Sequence, residues 1–362
     1  MSQPLILVAE NDPFLRMFQV ILDERTTDDR LNAFAYFFSH DLPDFDGWLA
    51  RMRDAAGPLY PAEVRLVDST DEMRAALPDA DVLVVESLNV GSDDLRGTPD
   101  LKVVQKFGAL PKNVNLSACA EHKVRVLTQR RRANISCAEH TVGMMLTLAR
   151  KFHQIGGLIS MEQLEAQGYQ PGTFDRRHTA MSGWPRVSGL STLYESSLGV
   201  IGMGEIGQEL ALRIAPFGMN VRYYQRNPLS AEDEARLQVQ YSSLDELLAE
   251  SDWVCVQLPL NNDTRGFVDR EHLAKMKPGA FLINVSRAEI IDRDALLEAL
   301  RSGHLGGFAL DPLYEEPGHP DDPLLSFPNV FLTPHTAAQP RFNTLRDTED
   351  MLRGIAAALS GA

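Results

Sequence analysis

The stretch LGVIGMGEIGQELALRI, Leu198 to Ile214, decides how the rest of the chain is read. An apolar run from Leu198 to Ile201 leads into Gly202, Gly204 and Gly207 at the spacing GxGxxG, and a helical pattern follows. Each glycine answers a steric demand. Gly202 permits a tight turn, Gly204 lets a pyrophosphate approach the backbone, and Gly207 lets helix and strand pack closely. The helix start, with Glu205 and Ile206, would then offer N–H groups and the positive end of its dipole to phosphate.

The next strand, VRYYQ, carries Gln225 at its end, followed by Arg226. Dinucleotide sites usually hold a carboxylate there, bound to the ribose hydroxyls. Gln225 removes the repulsion toward a 2′-phosphate, and Arg226 supplies a partner for one. NADP is therefore the expected cofactor. NAD is the alternative, with Gln225 bonding the ribose and Arg226 a surface charge.

The composition sets the frame. The chain has 362 residues, 44% of them apolar, enough for two domains with separate cores. A net charge of −15 argues for a soluble protein without a nucleic-acid surface. Three scattered cysteines, Cys119, Cys137 and Cys255, form neither a metal motif nor a disulfide framework, so no metal is expected. No apolar run is long enough to span a membrane, and the N-terminus lacks a basic leader, so a cytoplasmic setting is expected.

Outward from the glycine turn, short apolar runs alternate with helical patterns. LILVA from Leu5, VRLVD from Val64, DVLVVES from Asp81, LKVVQKF from Leu101 and KVRVL from Lys123 read as strands. DPFLRMFQVILD reads as a helix capped by Asp12, with Pro13 in its first turn. A long apolar helix starts near Asn134, and an irregular arm runs from about Gly168 to Ser197. SLGVIG, VRYYQ, DWVCVQLP, AFLINVS, GGFALD and VFLTP are further strands, and Phe342 to Leu359 is a closing helix. Such alternation implies α/β architecture with parallel sheets covered on both faces. The opening ILVAENDPFLR has the look of a response-regulator receiver, but no strand ending in a phosphoacceptor Asp follows at suitable spacing.

Several chemistry-bearing residues lie just beyond strands, where α/β sheets collect ligands. They are Arg287 in INVSRAEIID, Asp311 and Glu316 in ALDPLYEEP, and His335 in VFLTPHTA. With these, GMGEIG, QLPLNNDTRGFV and LINVSRAEIIDRDALLEALRSGHLGGFALD make the chain resemble the D-isomer-specific 2-hydroxyacid dehydrogenases. KFGALPKNVNL and ANISCAEHTVGMML extend the resemblance toward the N-terminus.

The resemblance implies two Rossmann/flavodoxin-like domains with the active site in the cleft between them. Residues 1–128 plus 340–362 would bind substrate, and 129–339 would bind the dinucleotide. It implies an enzyme that moves a hydride between NAD(P)H and a small 2-keto or D-2-hydroxy acid such as glyoxylate or hydroxypyruvate. His335 would be the acid/base, Glu316 its orienting carboxylate, and Arg287 the fork on the substrate carboxylate and carbonyl. Gly108, Ala109 and Leu110 would grip the carboxylate from the other domain. Leu258, Pro259, Thr264, Val285 and Ser286 would line the cofactor, and Asp311 would meet the nicotinamide carboxamide. A homodimer through Lys151 to Ser197 is also implied.

Four departures from the family stand out: Ala288 for a glycine, Gln257 for a histidine, the loop KFGALPKN, and the arginines Arg130, Arg131 and Arg132. The arginines are read as a solvated face, with contact to an acidic substrate or a cofactor phosphate as the alternative. A second class of function also fits the motifs, a dinucleotide-sensing, corepressor-like binding protein of the same fold. Net acidity favours the enzyme.

Overall fold

The computed structural model describes residues 5–361 and divides into two compact units, Met1–Asn134 with Ala338–Ala362, and Ile135–Ala337. The first unit is built on five parallel strands, β1 Leu5–Glu10, β2 Ala62–Val67, β3 Val82–Val85, β4 Val103–Lys106 and β5 Arg125–Thr128, in the order β2-β1-β3-β4-β5. This is the flavodoxin-like order, which receivers share, so the likeness of the first residues to a receiver has a topological basis. β3 and β4 are buried along their whole length, as strands covered on both faces must be.

The closing helix, Phe342–Leu359, buries Leu345, Met351, Leu352 and Ile355 against Phe18, Trp48 and Phe107 in the core of the first unit. Its apolar residues recur at helical spacing, and each fully buried large one contributes about 1.5–3 kcal/mol. Two helices, Asp28–Phe38 and Phe45–Ala56, occupy a region the sequence reading left without elements. The helix expected from Pro13 begins later, at Arg16; Asp12 instead accepts from the N–H groups of Phe14 and Leu15 in a preceding turn.

The second unit holds seven parallel strands, β6 Ser197–Ile201, β7 Asn220–Tyr224, β8 Val239–Tyr241, β9 Trp253–Val256, β10 Phe281–Asn284, β11 Gly307–Leu310 and β12 Val330–Leu332. Their order is β12-β11-β10-β9-β6-β7-β8, a doubly wound sheet whose order reverses between β6 and β9. β8, only three residues long, was not legible as a strand. The helix Glu205–Ile214 follows β6 and buries Gly207, Leu210, Ala211 and Ile214, one face at i, i+3, i+4 and i+7. The turn Ala215–Phe217, containing Pro216, ends it. Two short helices, Phe152–Ile155 and Met161–Ala166, follow the long helix Arg132–Arg150, and among the described residues no further helix or strand comes before β6.

Candidate active site

The crevice at the reversal between β6 and β9 is shaped by glycine. Gly202 sits at φ +101°, and a Cβ there would lie 2.4 Å from the carbonyl oxygen of Gln257. A Cβ on Gly207 would lie 2.5 Å from the carbonyl oxygen of Gly202. On Gly204 a Cβ would meet nothing within 4 Å, so open space lies over the helix start. No side chain caps that helix. Beside it, both amide atoms of Gln257 are buried without a partner among the described residues. A helix N-terminus with an open approach and an orphaned amide fits a dinucleotide pyrophosphate and its ribose.

At the end of β7 the fully buried Tyr223 holds the following loop. Its hydroxyl accepts from Leu229 N at 2.7 Å and donates to Glu234 at 2.8 Å; burial, chiefly, pushes its pKa up to about 12. The side chain of Gln225 donates to the carbonyl of Asn227 at 2.6 Å, and Arg226 is exposed. After β9, Thr264 donates to the carbonyl of Pro259 at 2.6 Å, which closes the loop that begins with Leu258. After β10, Val285 is buried, and Ser286 donates to Val256 O at 2.7 Å, tying the ends of β9 and β10 together.

Three adjacent strand ends then present the reactive side chains. Arg287 lies three residues beyond β10 and is exposed, with Nη1 donating to the carbonyl of Ser286 at 2.7 Å. Ala288, the departure from glycine, opens a 3-10 turn and is fully buried, a conformation that needs no glycine. Glu316, beyond β11, and His335, beyond β12, meet at 2.9 Å between Oε2 and Nδ1. Both side chains are about 40% exposed, at 41% and 40%. Burial tends to raise the Glu316 pKa, but the His335 hydrogen bond, the Leu313 N–H and the charge of Arg287 outweigh it and hold it below the usual carboxylate range.

Asp311, fully buried, organises the His335 turn. Its carboxylate accepts from Thr333 Oγ1 at 2.6 Å, Thr336 N at 2.8 Å and Ala337 N at 2.9 Å. Its carbonyl accepts from His335 N at 3.0 Å. The carboxylate expected to meet a nicotinamide carboxamide thus also braces this turn. Two members of this network escaped the sequence reading, Thr333 and His140. The latter lies on the helix Arg132–Arg150 with its Nε2 3.0 Å from Thr333 Oγ1. The only signal for His140 was its place in ANISCAEHTVGMML, which read as apolar helix.

In the first unit the chain leaves β4 through the buried Phe107 and Gly108 and reaches the surface at Ala109, with Leu110 half-buried. For Arg131 and Arg132 the solvated reading is corrected here, while Arg130 is exposed. Arg131 stacks 4.1 Å over the Phe107 ring and lies 3.4 Å from Glu86, and its Nε is buried without a partner among the described residues. Arg132 pairs at 2.7 Å with both Asp347 and Asp350. Their partners lie far away in sequence, so spacing carried no sign of them. Among the described residues no cluster suited to a metal ion occurs, and no helix is long and apolar enough to cross a membrane.

Residues 142–337 match the D-isomer specific 2-hydroxyacid dehydrogenase family, NAD binding domain, and the chain belongs to that family. It is 34% identical over 303 residues to D-3-phosphoglycerate dehydrogenase of Mycobacterium leprae, covering 83% of this chain and 53% of that protein. The chain thus spans about half the length of such curated relatives. It is 34% identical over 273 residues to hydroxypyruvate reductase of Thermotoga maritima, covering 74% of this chain and 81% of that protein. The apo structure of Rhodotorula graminis D-mandelate dehydrogenase shares the fold, at 23% identity and a TM-score of 0.56 over 98% of this chain and 94% of that one.

Proposed function

We propose that the protein is an NAD(P)-dependent D-2-hydroxyacid dehydrogenase that reduces a short 2-keto acid of the glyoxylate or hydroxypyruvate kind. The observation that carries this reading is the His335–Glu316 pair beside Arg287 at three neighbouring strand ends. The nicotinamide supplies the hydride when bound. His335 gives the carbonyl oxygen its proton, or takes it back from the hydroxyl in the other direction. Glu316 holds Nδ1 and leaves Nε2 as the transferring nitrogen. Arg287 grips the substrate carboxylate and polarises the carbonyl with its planar fork. By the family resemblance, the amides around Gly108, Ala109 and Leu110 are assigned to carboxylate binding. Gly202, Gly204, Glu205, Ile206 and Gly207 would cradle the pyrophosphate, and Leu258, Pro259, Thr264, Val285 and Ser286 would line the cofactor. The orphaned amide of Gln257 would find its partner on the same cofactor.

Gln225 and Arg226 favour NADP, whereas the name of the matched domain favours NAD. Initial rates of glyoxylate and hydroxypyruvate reduction with each reduced cofactor separate the two. A lower KM for NADPH, lost in Arg226→Ala, supports the phosphate reading; a preference for NADH unaffected by that change refutes it. Tight cofactor binding without turnover of any 2-keto acid would move the protein to the sensor class. A cytoplasmic homodimer completes the proposal. Phe152 (56% exposed), Ile159 (83%) and Tyr194 (65%) leave apolar surface within the segment Lys151 to Ser197 for a second copy to cover, and sedimentation at equilibrium tests it.

A further inference from the structure

We infer that His140 is a positioning residue for His335, acting through Thr333 and Asp311. The inference rests on the proposed role of His335 as the acid/base. His335 has its backbone at φ +54°, a conformation that side-chain-bearing residues adopt only when their surroundings impose it. The imposing group is Asp311, whose carbonyl and carboxylate together take the N–H groups of residues 335, 336 and 337 and the hydroxyl of Thr333.

The direction of the remaining bond follows from counting protons. Thr333 has one hydroxyl proton, and the 2.6 Å contact with a carboxylate uses it. Nε2 of His140, 3.0 Å from the same oxygen, must therefore be the donor. The same nitrogen lies 3.5 Å from Asp311 Oδ1, close enough to add to the hold on that carboxylate. Burial, opposed by the Asp311 charge, lowers the His140 pKa and so favours the neutral ring. The donor of His140 is spent on the hydroxyl that helps hold the carboxylate bracketing the catalytic turn. Loss of the donor frees Thr333 to rotate and weakens the hold on residues 335–337, so the imidazole of His335 no longer meets Glu316 in one orientation.

The test is the imidazole ¹⁵N spectrum of His335 in the full-length apo protein, assigned by its loss in His335→Ala and followed across neutral pH. It is recorded for the wild type, His140→Leu, His140→Gln and Thr333→Val. The wild type should show the Nδ1–H tautomer. His140→Leu and Thr333→Val should show a mixture of tautomers. His140→Gln, which keeps a donor at the same reach, should stay near wild type. Turnover should fall between about tenfold and about 100-fold in the first two variants, the scale of a misplaced reacting group, with cofactor affinity unchanged. Wild-type His335 spectra in both His140→Leu and Thr333→Val would overturn the inference, whatever the melting temperatures do. So would a loss in His140→Gln as deep as that in His140→Leu. If His140→Leu does not fold, Thr333→Val, which removes a single hydroxyl, decides alone. Spectra that change as expected in a protein without turnover would leave the positioning intact and sink the functional reading.

Discussion

The imidazole of His335 has its Nδ1 committed to Glu316, so proton transfer falls to Nε2. His335→Ala should abolish 2-keto acid reduction while leaving the cofactor dissociation constant nearly unchanged by fluorescence titration. Glu316→Gln should lower kcat by about 10²–10⁴-fold, the usual weight of acid/base assistance. Because the folded pKa of Glu316 is depressed, its pairing contributes fully above the ordinary carboxylate pKa and is lost as pH falls through the depressed value. Glu316→Gln should therefore flatten part of the acid limb of stability in urea titrations. Arg287→Lys should raise KM and lower kcat, since an ammonium has no fork; wild-type kinetics in that variant would remove Arg287 from the site. At this scale Arg287 and His335 stand three residues beyond an apolar strand and Glu316 six, and the resemblance to the family is what singled them out. His140 and Thr333 were not legible, because a hydroxyl after a strand and a histidine on a buried helix announce nothing until they meet.

Among the elements, the turn between β6 and its helix makes a graded prediction. Gly204→Ala should fold normally, since its Cβ would point into open space, yet weaken cofactor binding through the space it takes. Gly202→Ala and Gly207→Ala place a carbon at 2.4 Å and 2.5 Å from backbone oxygens, so both should destabilise the fold itself. Thermal melts of the three apo proteins check this, and equal melting temperatures would contradict it. In the first unit, Asp347 is 1% exposed and accepts from both the backbone and the guanidinium of Arg132. Asp347→Ala should cost about 1.5–3 kcal/mol in urea unfolding, the weight of a lost hydrogen bond to a charged group. The strands and the closing helix were readable from periodicity alone. β8 was too short to show a period, whereas Phe45–Ala56 buries Phe45, Trp48, Leu49, Met52 and Ala56 at helical spacing, a signal present in the sequence that went unread.

For the molecule as a whole, two separate cores under one chain mean that a ligand held by one unit stabilises that unit first. Cofactor at about 100 times its dissociation constant should add roughly 2.7 kcal/mol to the unit Ile135–Ala337. Hydrogen exchange should show that protection centred on the glycine turn and the ends of β9 and β10. Protection confined to β1–β5 would place the dinucleotide in the wrong unit.

By itself the sequence determined the alternation of strand and helix, the dinucleotide turn, the three residues of the proposed chemistry and the family. These are local signals: a period, a steric demand for glycine, a functional group next to a strand. Only the tertiary structure decided the strand orders and the partners of Arg131, Arg132 and Asp311. Those depend on contacts between residues far apart in the chain, such as Arg132 with Asp347 or His140 with Thr333. Hydrogen bonds and ion pairs of that kind leave no period or spacing behind, because their geometry exists only once the sheets have brought the residues together.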